Sequence, residues 1–218
     1  MAKSLIEVAL FPIPGMVAFP GTIVPLHVFE PRYRQMVTDA VEQDRMIAAC
    51  HTKKEIRPAK DGQSMQDALK NNQATYQPFE VFSAGICEII DTTADGRIYI
   101  HISMSKRLQL VHEVQTLPYR IVACSELEDV SQPDSDDELM KYQKSITDSI
   151  VKLIGKHNPA KLSEFNSDEW LELSPTEFSF KVFQLVRFDA DTMQSILEAT
   201  SNLERLKMVD SLVHSGKT

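Results

Sequence analysis

Charged and aromatic side chains cluster in one short segment, where Glu30, Arg32, Tyr33 and Arg34 lie within five residues of each other. A carboxylate just before a helix favours the positive end of its dipole, and arginine holds a carboxylate through parallel hydrogen bonds. The residue types therefore favour a structural role, with the arginines paired to Glu30 or to neighbouring carboxylates. The alternative is that Arg32 and Arg34 form a docking point for the carboxylates or carbonyls of a bound polypeptide.

Two segments contain parts of catalytic motifs. Gly216, Lys217 and Thr218 match the end of a phosphate-binding loop, but Ser211 stands where its first glycine belongs. Ser103 and Lys106 have the S-x-x-K spacing of some serine enzymes, which needs a helix to bring both side chains to one face. The surrounding period is that of a strand, where residues three apart point to opposite faces. We therefore predict no catalytic residues and no enzyme activity.

Metal and thiol chemistry are not predicted either. The six histidines are scattered, with no H-E-x-x-H and no nearby Cys-x-x-Cys, so no zinc-ligand set can be identified. We expect neither a metal nor a cofactor. Three cysteines lie in apolar, strand-like runs and are expected to be reduced core residues: Cys50, Cys87 and Cys124.

Charge and hydropathy narrow the class of partner. The formal net charge is -8, and residues 126–138 form an acidic stretch, so electrostatic repulsion disfavours a phosphate backbone as a partner. Hydrophobic residues make up 43% and charged residues 25%, as in ordinary globular proteins. The sequence has no apolar run long enough for a membrane span and no signal-peptide pattern at its start. We expect a cytoplasmic protein that does not enter a membrane.

The first half of the chain has the period of strands. Ile6, Val8 and Leu10 alternate with other residues, and Asp95-Gly96 is a hairpin-turn signal. One helix is predicted to begin at Pro31. The polar residues 53–77 show no period and are predicted to form a long mobile loop, with at most a short helical turn. Several short strands favour a small barrel, and the β-rich runs are 46–51, 79–92, 97–103, 107–114 and 119–127.

The second half has the period of helices. Apolar residues recur at three- and four-residue spacing, and cap signals stand before three helices: Ser174 with Glu177, Asp189, and Ser201 with Glu204. The chain is thus predicted to be α+β. We expect a β-rich part at 1–127, an acidic linker at 128–138 and a helical bundle at 139–218.

Residues 8–49 read VALFPIPGMVAFPGTIVPLHVFEPRYRQMVTDAVEQDRMIAA. The elements LFPIP, AFPG and VPLHVFEPRY, in this order, resemble the opening of the N-terminal, substrate-binding domain family of Lon proteases. Weaker likenesses follow in GICEI at 85–89, LPY at 117–119 and LERL at 203–206. The resemblance implies a PUA-like β-rich barrel followed by a helical bundle. It also implies a stand-alone, non-catalytic member without the ATPase and protease modules.

The same resemblance implies a role in gripping unfolded or damaged polypeptides, with a separate protease or chaperone as a further partner. Such a surface needs an apolar groove or an exposed strand edge. Candidate binding residues, with core packing as the alternative for the apolar ones, are Phe11, Met16, Phe19, Arg32, Arg34, Phe79 and Phe82.

Two other functions stay open. PUA-like folds often bind RNA, which needs a basic face, and the basic cluster visible here is Lys53, Lys54, Arg57 and Lys60. A small hydrolase with a site assembled from dispersed residues is the third hypothesis. A homodimer is compatible with the sequence, although no residue requires one.

Overall fold

The computed structural model describes residues 4–58, 67, 69–130, 136–157 and 167–215. The chain divides into two compact units, Met1–Leu127 and Glu128–Thr218. The first unit combines strands with one helix, α1 (Pro31–Glu42). Its strands are β1 (Ile6–Pro12), β2 (Ile23–Val28), β3 (Ile47–Cys50), β4 (Thr52–Arg57), β5 (Thr75–Pro78), β6 (Val81–Thr92), β7 (Ile98–Gln115) and β8 (Ile121–Glu126).

Six of these strands form one sheet in the order β2-β7-β6-β3-β1-β8, and a further pairing of β8 with β7 closes it. Strands β1 and β3 run parallel, while the other neighbours are antiparallel. Closure depends on the 18-residue length of β7, whose first part pairs with β2 and whose later part pairs with β8. The predicted β-rich barrel is confirmed, with β2 attached to it as an additional strand.

Strand β1 is buried on both of its faces. Val8 and Leu10 belong to an apolar cluster drawn from the five ring strands, which fills the barrel. Ala9 and Phe11 belong to a second cluster, which includes Tyr33 and other residues of α1. Because both faces are covered, residues 8–11 of β1 are apolar in succession, and the alternation of Ile6, Val8 and Leu10 does not mark a solvent-exposed face beyond Glu7.

Helix α1 covers one side of the barrel. It begins at Pro31, as predicted, because proline fits the first helical position, where no intrahelical partner for an N–H exists. Its buried stripe consists of Tyr33, Met36, Val37 and Ala40.

Two glycines shape the hairpin of β6 and β7. Gly96 has a φ of 85°, which its tight turn requires, and the turn predicted at Asp95-Gly96 is confirmed. A Cβ atom at Gly85 would lie 1.9 Å from the carbonyl oxygen of Ser103. Only glycine therefore allows β6 and β7 to approach so closely at this register shift.

The prediction of a loop over residues 53–77 is wrong at both ends. Strands β4 and β5 lie there and pair as a separate two-stranded sheet, while residues 59–66 and 68 lie outside the described part. Five of the six residues of β4 are exposed. A strand that buries neither face carries no apolar alternation, so its sequence lacks the period that identifies strands.

The second unit is helical. Its described elements are α2 (Asp136–His157), α3 (Ser167–Leu171), α4 (Pro175–Lys181), a 3-10 turn (Val182–Gln184), α5 (Ala190–Glu198) and α6 (Asn202–His214). The predicted caps are confirmed. Ser174 and Glu177 form a reciprocal capping box, and Asp189 and Ser201 each accept a hydrogen bond from the backbone N–H three residues later. None of the described helices is both long and apolar enough to cross a membrane.

Helix α2 starts inside the range expected to be a linker. Its first turn consists of Asp136, Asp137 and Glu138, whose carboxylates are stabilised by the positive end of the helix dipole. Residues 131–135 of the expected linker lie outside the described part.

A fully buried arginine lies at the centre of the helical unit. Arg205 has no exposed side-chain surface, and its two terminal nitrogens donate to the two carboxylate oxygens of Asp129, each at 2.6 Å. It also donates to Ser179 Oγ (3.1 Å) and to the Ala199 carbonyl (2.9 Å), and its guanidinium lies 4.2 Å from the centre of the Phe180 ring. A buried charge is tolerated here because its donors are paired.

Candidate functional site

Two neighbouring depressions on the β-rich unit share Leu26 and His27 of β2. The first, which we call the Phe11 depression, has a volume of about 420 Å³ and is lined mainly by Phe11, Ile13, Pro14, Leu26, Phe29 and Tyr76. The second, the Tyr99 depression, has a volume of about 400 Å³ and includes Pro25, Leu26, His27, Ile90, Tyr99 and Ile100. Because they meet at β2, we refer to both together as the β2 groove.

The end of β1 builds one wall of the Phe11 depression. Pro12 and Pro14 keep the chain extended there, and Ile13 N–H donates to the Cys50 carbonyl at 2.9 Å. Gly15, with a φ of 75°, then turns the chain and donates its N–H to His51 Nδ1 at 3.0 Å. This turn leaves Ile13 half-buried against the apolar cluster beneath α1.

The opposite wall is held by the ion pair of Glu30 and Arg32. Their nearest atoms are 3.0 Å apart, and both side chains are only 12–13% exposed. Arg32 also donates to the Ala74 carbonyl at 2.7 Å, while Gln73 N–H donates to the Glu30 carboxylate at 2.9 Å. The pair thus joins the start of α1 to the segment before β5. The expected pairing of Arg32 with Glu30 is confirmed.

Arg34 points away from the groove. It donates to the Gly96 carbonyl at 3.2 Å and to the Leu69 carbonyl at 2.8 Å, so it joins α1 to the β6–β7 turn. Its partners are backbone carbonyls, whereas the sequence suggested carboxylates, because only the tertiary fold brings this turn beside α1.

The five apolar candidates separate into different environments. Phe11 lines the groove and stacks on Tyr33, with 4.2 Å between ring centres. Met16 is half-buried against the apolar cluster beneath α1, and Phe79 stacks on His51 at 5.1 Å. Phe19 and Phe82 are each 1% exposed. These last two belong to the core and present no surface to a ligand, because the folded chain covers them.

Several groove residues were not identified from sequence. Leu26, His27 and Phe29 lie within the VPLHVFEPRY element. The pattern of this element indicates the fold, but it does not show which of its residues line a surface groove. Ile90 and Tyr99 lie at the ends of β6 and β7 and are 50% and 40% exposed. Two consecutive isoleucines in a strand point to opposite faces, so Ile89 and Ile90 indicated apolar surface on both faces of β6. In the structure both are exposed, by 38% and 50%.

His27 is the titratable side chain common to both depressions. Its ring stacks on Tyr99, with centres 4.7 Å apart and planes 16° apart. Its Nε2 is buried and has no hydrogen-bond partner among the described residues. Burial strongly raises the pKa of the Tyr33 phenol at the groove wall, so this hydroxyl stays protonated. The groove therefore offers ring faces and aliphatic surface to a ligand, with the Glu30–Arg32 pair in the wall of the Phe11 depression and Asp91 in the lining of the Tyr99 depression.

The three thiols lie in the interior, whereas the S-x-x-K segment lies at the surface of β7. All three cysteines are free and buried, as predicted. Burial raises the pKa of Cys87 to about 11, with the Glu88 carboxylate adding to the rise, and raises the pKa of Cys124 to about 12. Ser103 and Lys106 lie on strand β7, and Lys106 forms an ion pair with Glu126 at 2.7 Å.

The comparisons with known proteins agree with one another. Residues 7–215 match the family described as the ATP-dependent protease La (LON) substrate-binding domain. The chain is 22% identical over 210 residues to Lon protease 1 of Herpetosiphon aurantiacus, covering 95% of this chain and 24% of that protein. It is 24% identical over 153 residues to Lon protease of Cytophaga hutchinsonii, covering 69% of this chain and 17% of that protein. The chain thus spans about a quarter or less of these relatives.

Solved structures show the same fold. The N-terminal domain of Mycobacterium avium complex Lon protease superposes with a TM-score of 0.64 at 12% identity, covering 95% of this chain and 98% of that one. The Lon N-terminal domain protein from Xanthomonas campestris gives 0.61 at 18% identity, with 94% and 97% covered. Together with the family match over almost the whole chain, these likenesses confirm the resemblance seen in the sequence. The chain belongs to the family of LON substrate-binding domains.

Proposed function

We propose that the β2 groove binds polypeptide segments with exposed apolar side chains, including segments of unfolded or damaged proteins. The observation that carries the proposal is the pair of adjoining apolar depressions around Leu26 and His27, each about 400 Å³ in volume. Apolar contacts of this kind accept many sequences because they require area rather than one pattern of hydrogen bonds. The description of the family as a substrate-binding domain also supports the proposal.

RNA binding is the alternative, and the charges of the described residues weigh against it. Lys53 and Lys54 are exposed on β4, but Lys53 forms an ion pair with Glu80 at 3.1 Å, and Glu55 follows them on the same strand. Lys60 lies outside the described part. With a net charge of -8, the chain would repel a phosphate backbone unless its basic residues were segregated on one face.

We propose that the groove holds a bound segment without catalysing a reaction on it. Delivery to a separate protease or chaperone is the further partner role that we propose. Association of two copies is a separate hypothesis, which sedimentation of the purified chain tests directly.

The test is equilibrium binding of fluorescent peptides tiled across an unfolded model protein, with single-stranded RNA as comparator, at low and high salt. We expect micromolar binding to apolar peptides that changes little with salt, because burial of apolar area is not screened. Steeply salt-dependent RNA binding without peptide binding would replace the proposal with the RNA alternative.

Two serine substitutions locate the binding surface. Ile13→Ser places a hydroxyl in the wall of the Phe11 depression and is expected to weaken peptide binding about tenfold, or about 1.4 kcal/mol. The control is Val111→Ser, at a residue 52% exposed on the far part of β7 and absent from both depressions. Equal losses in the two variants would place the binding surface elsewhere.

A further inference from the structure

We propose that the bound segment joins β2 as an added β-strand, with successive side chains entering the Phe11 and Tyr99 depressions in turn. This inference rests on the proposed function and specifies the ligand. The ligand class is an extended run of consecutive apolar residues, of the kind that forms a buried strand in another protein's native fold. An amphipathic helix, with one apolar stripe, belongs to a different class.

The first observation is that β2 has an unpaired edge. Among the described residues, β2 is hydrogen-bonded to β7 and to no other strand, and it stands at the end of the sheet. An edge strand presents backbone N–H and C=O groups that another extended chain can pair with. The six residues of β2 provide an edge of about 20 Å, at roughly 3.4 Å per residue.

The hydrogen bonds at the start of β2 show which backbone groups face outward. Gly21 N–H donates to the Met104 carbonyl at 2.8 Å, and Met104 N–H donates to the Thr22 carbonyl at 2.9 Å. In an antiparallel pair, hydrogen-bonded and non-hydrogen-bonded positions alternate. Counting on from Thr22, the positions bonded to β7 are Val24, Leu26 and Val28, and the outward-facing positions are Ile23, Pro25 and His27.

Pro25 supports this assignment independently. Proline has no N–H to donate, so it is tolerated where its nitrogen faces away from the neighbouring strand. Its register partner on β7 is His101, at a position that the alternation leaves without mutual hydrogen bonds. The free edge therefore offers the N–H groups of Ile23 and His27 and the carbonyls of all three outward-facing residues.

The depressions match the side-chain period of a strand. Leu26 packs towards the apolar cluster that contains Phe11, whereas His27, its neighbour, stacks on Tyr99. Side chains of a strand added beside β2 alternate between the same two faces. One set would meet the Phe11 depression and the other set the Tyr99 depression. Because both depressions are largely apolar, consecutive residues of the ligand must be apolar.

Exposed apolar side chains extend the surface beyond the groove. Ile23 is 62% exposed and lies opposite Ser103, which in turn lies opposite Ile86, itself 50% exposed. These residues form a row across β2, β7 and β6. The row of His27 and Tyr99 lies on the same face four residues further along β2, beyond a row that contains Pro25, His101 and Glu88. An added strand would cover the open end of both rows.

The decisive experiment uses the unmodified protein and backbone-methylated peptides. A peptide of consecutive apolar residues is made in two forms, N-methylated at alternate positions or at every position. The first form has a register in which all of its methylated nitrogens face away from β2, whereas the second form has no N–H group to offer β2 in any register. We expect the second form to bind at least about tenfold more weakly and the first to bind within about twofold of the unmethylated peptide.

Each other result has a defined meaning. Equal binding of the two methylated forms would overturn strand addition while leaving apolar polypeptide binding in place. The same holds if a helix-stabilised peptide of the same composition binds as tightly as the unmethylated one. Absence of binding by any apolar peptide would overturn the proposed function and this inference together.

A matched pair of variants tests whether the backbone N–H of His27 takes part in binding. His27→Pro removes an N–H that β7 does not use, and His27→Ala removes the imidazole but keeps that N–H. We expect His27→Pro to bind the unmethylated peptide at least about fivefold more weakly than His27→Ala does. Equal affinities would overturn the inference. The inference would also be overturned if the protein formed a dimer that dissociates in His27→Pro and if the peptide did not compete with this dimer. A second copy of the chain would then occupy the edge of β2.

Discussion

Arg205 in the helical unit and Ile23 in the β-rich unit differ from the usual rule that charged side chains are exposed and apolar side chains are buried. The arginine is fully buried and paired with Asp129, Ser179 and Ala199, whereas Ile23 is 62% exposed. Exposed apolar side chains of the helical unit, such as Met140 and Leu171, are far apart in sequence. In the β-rich unit, by contrast, exposed Ile23 and Ile86 both lie opposite Ser103 on neighbouring strands. The helical unit thus pairs its buried arginine internally, while the β-rich unit exposes apolar side chains on adjacent strands, at the surface that we propose binds a polypeptide.

The sequence provides a separate probe for each unit. All three cysteines lie before residue 128, and the single tryptophan, Trp170, lies after it. Thiol labelling therefore reports opening of the β-rich unit, and tryptophan fluorescence reports unfolding of the helical unit. The contrast between the units can be tested in one protein without cutting the chain.

The largest expected effect is that of Phe82→Ala in the barrel interior. Phe82 is 1% exposed and packs among Leu10, Ala48 and Leu108. We expect the free energy of unfolding, measured by denaturant-dependent thiol labelling, to fall by about 4 kcal/mol, since a large buried ring leaves a cavity. The control, Val111→Ala, should change it by less than about 0.5 kcal/mol. A small effect of Phe82→Ala would mean that this ring is not part of the core.

A somewhat smaller loss is expected for Asp129→Ala in the helical unit. The change leaves the buried Arg205 guanidinium without its carboxylate, which costs about 3 kcal/mol. Urea unfolding followed by Trp170 fluorescence measures it. The matched control is Glu138→Ala, which breaks an exposed ion pair with Lys207 worth at most about 1 kcal/mol. Similar losses in both variants would contradict a specific role for the buried pair.

The smallest expected effect concerns the turn at Asp95. Hydrogen bonds from the Arg97 side chain and from Thr93 lower the pKa of Asp95 to about 2, from an ordinary 3.8. Because the folded-state pKa is lowered, the stabilisation is complete above the unfolded value and is lost as pH falls from about 4 through about 2. Carboxyl NMR titration should show this low pKa, and Arg97→Gln should raise it. An unchanged pKa in that variant would rule out Arg97 as the cause.

The sequence was most informative where structure depends on neighbouring residues. Ser174 with Glu177, Asp189, and Pro31 at the first position of α1 all marked helix starts found in the structure. Each signal is local, since a cap is completed within one turn of helix. Strand β4, by contrast, buries neither face, so neither its residues nor its spacing distinguished it from a loop.

By itself the sequence determined the family, the α+β class and the helix caps, because motifs and hydrophobic periods act over a few residues. Only the tertiary structure decided that Phe19 and Phe82 are buried while Phe11 lines a groove. Arg32 and Arg34, two residues apart, were likewise separated into a groove wall and a turn contact. The physical reason is that the burial of a side chain depends on its contacts with strands that are distant in the chain. Closure of the barrel through β7 and β8 sets which face of each strand meets solvent.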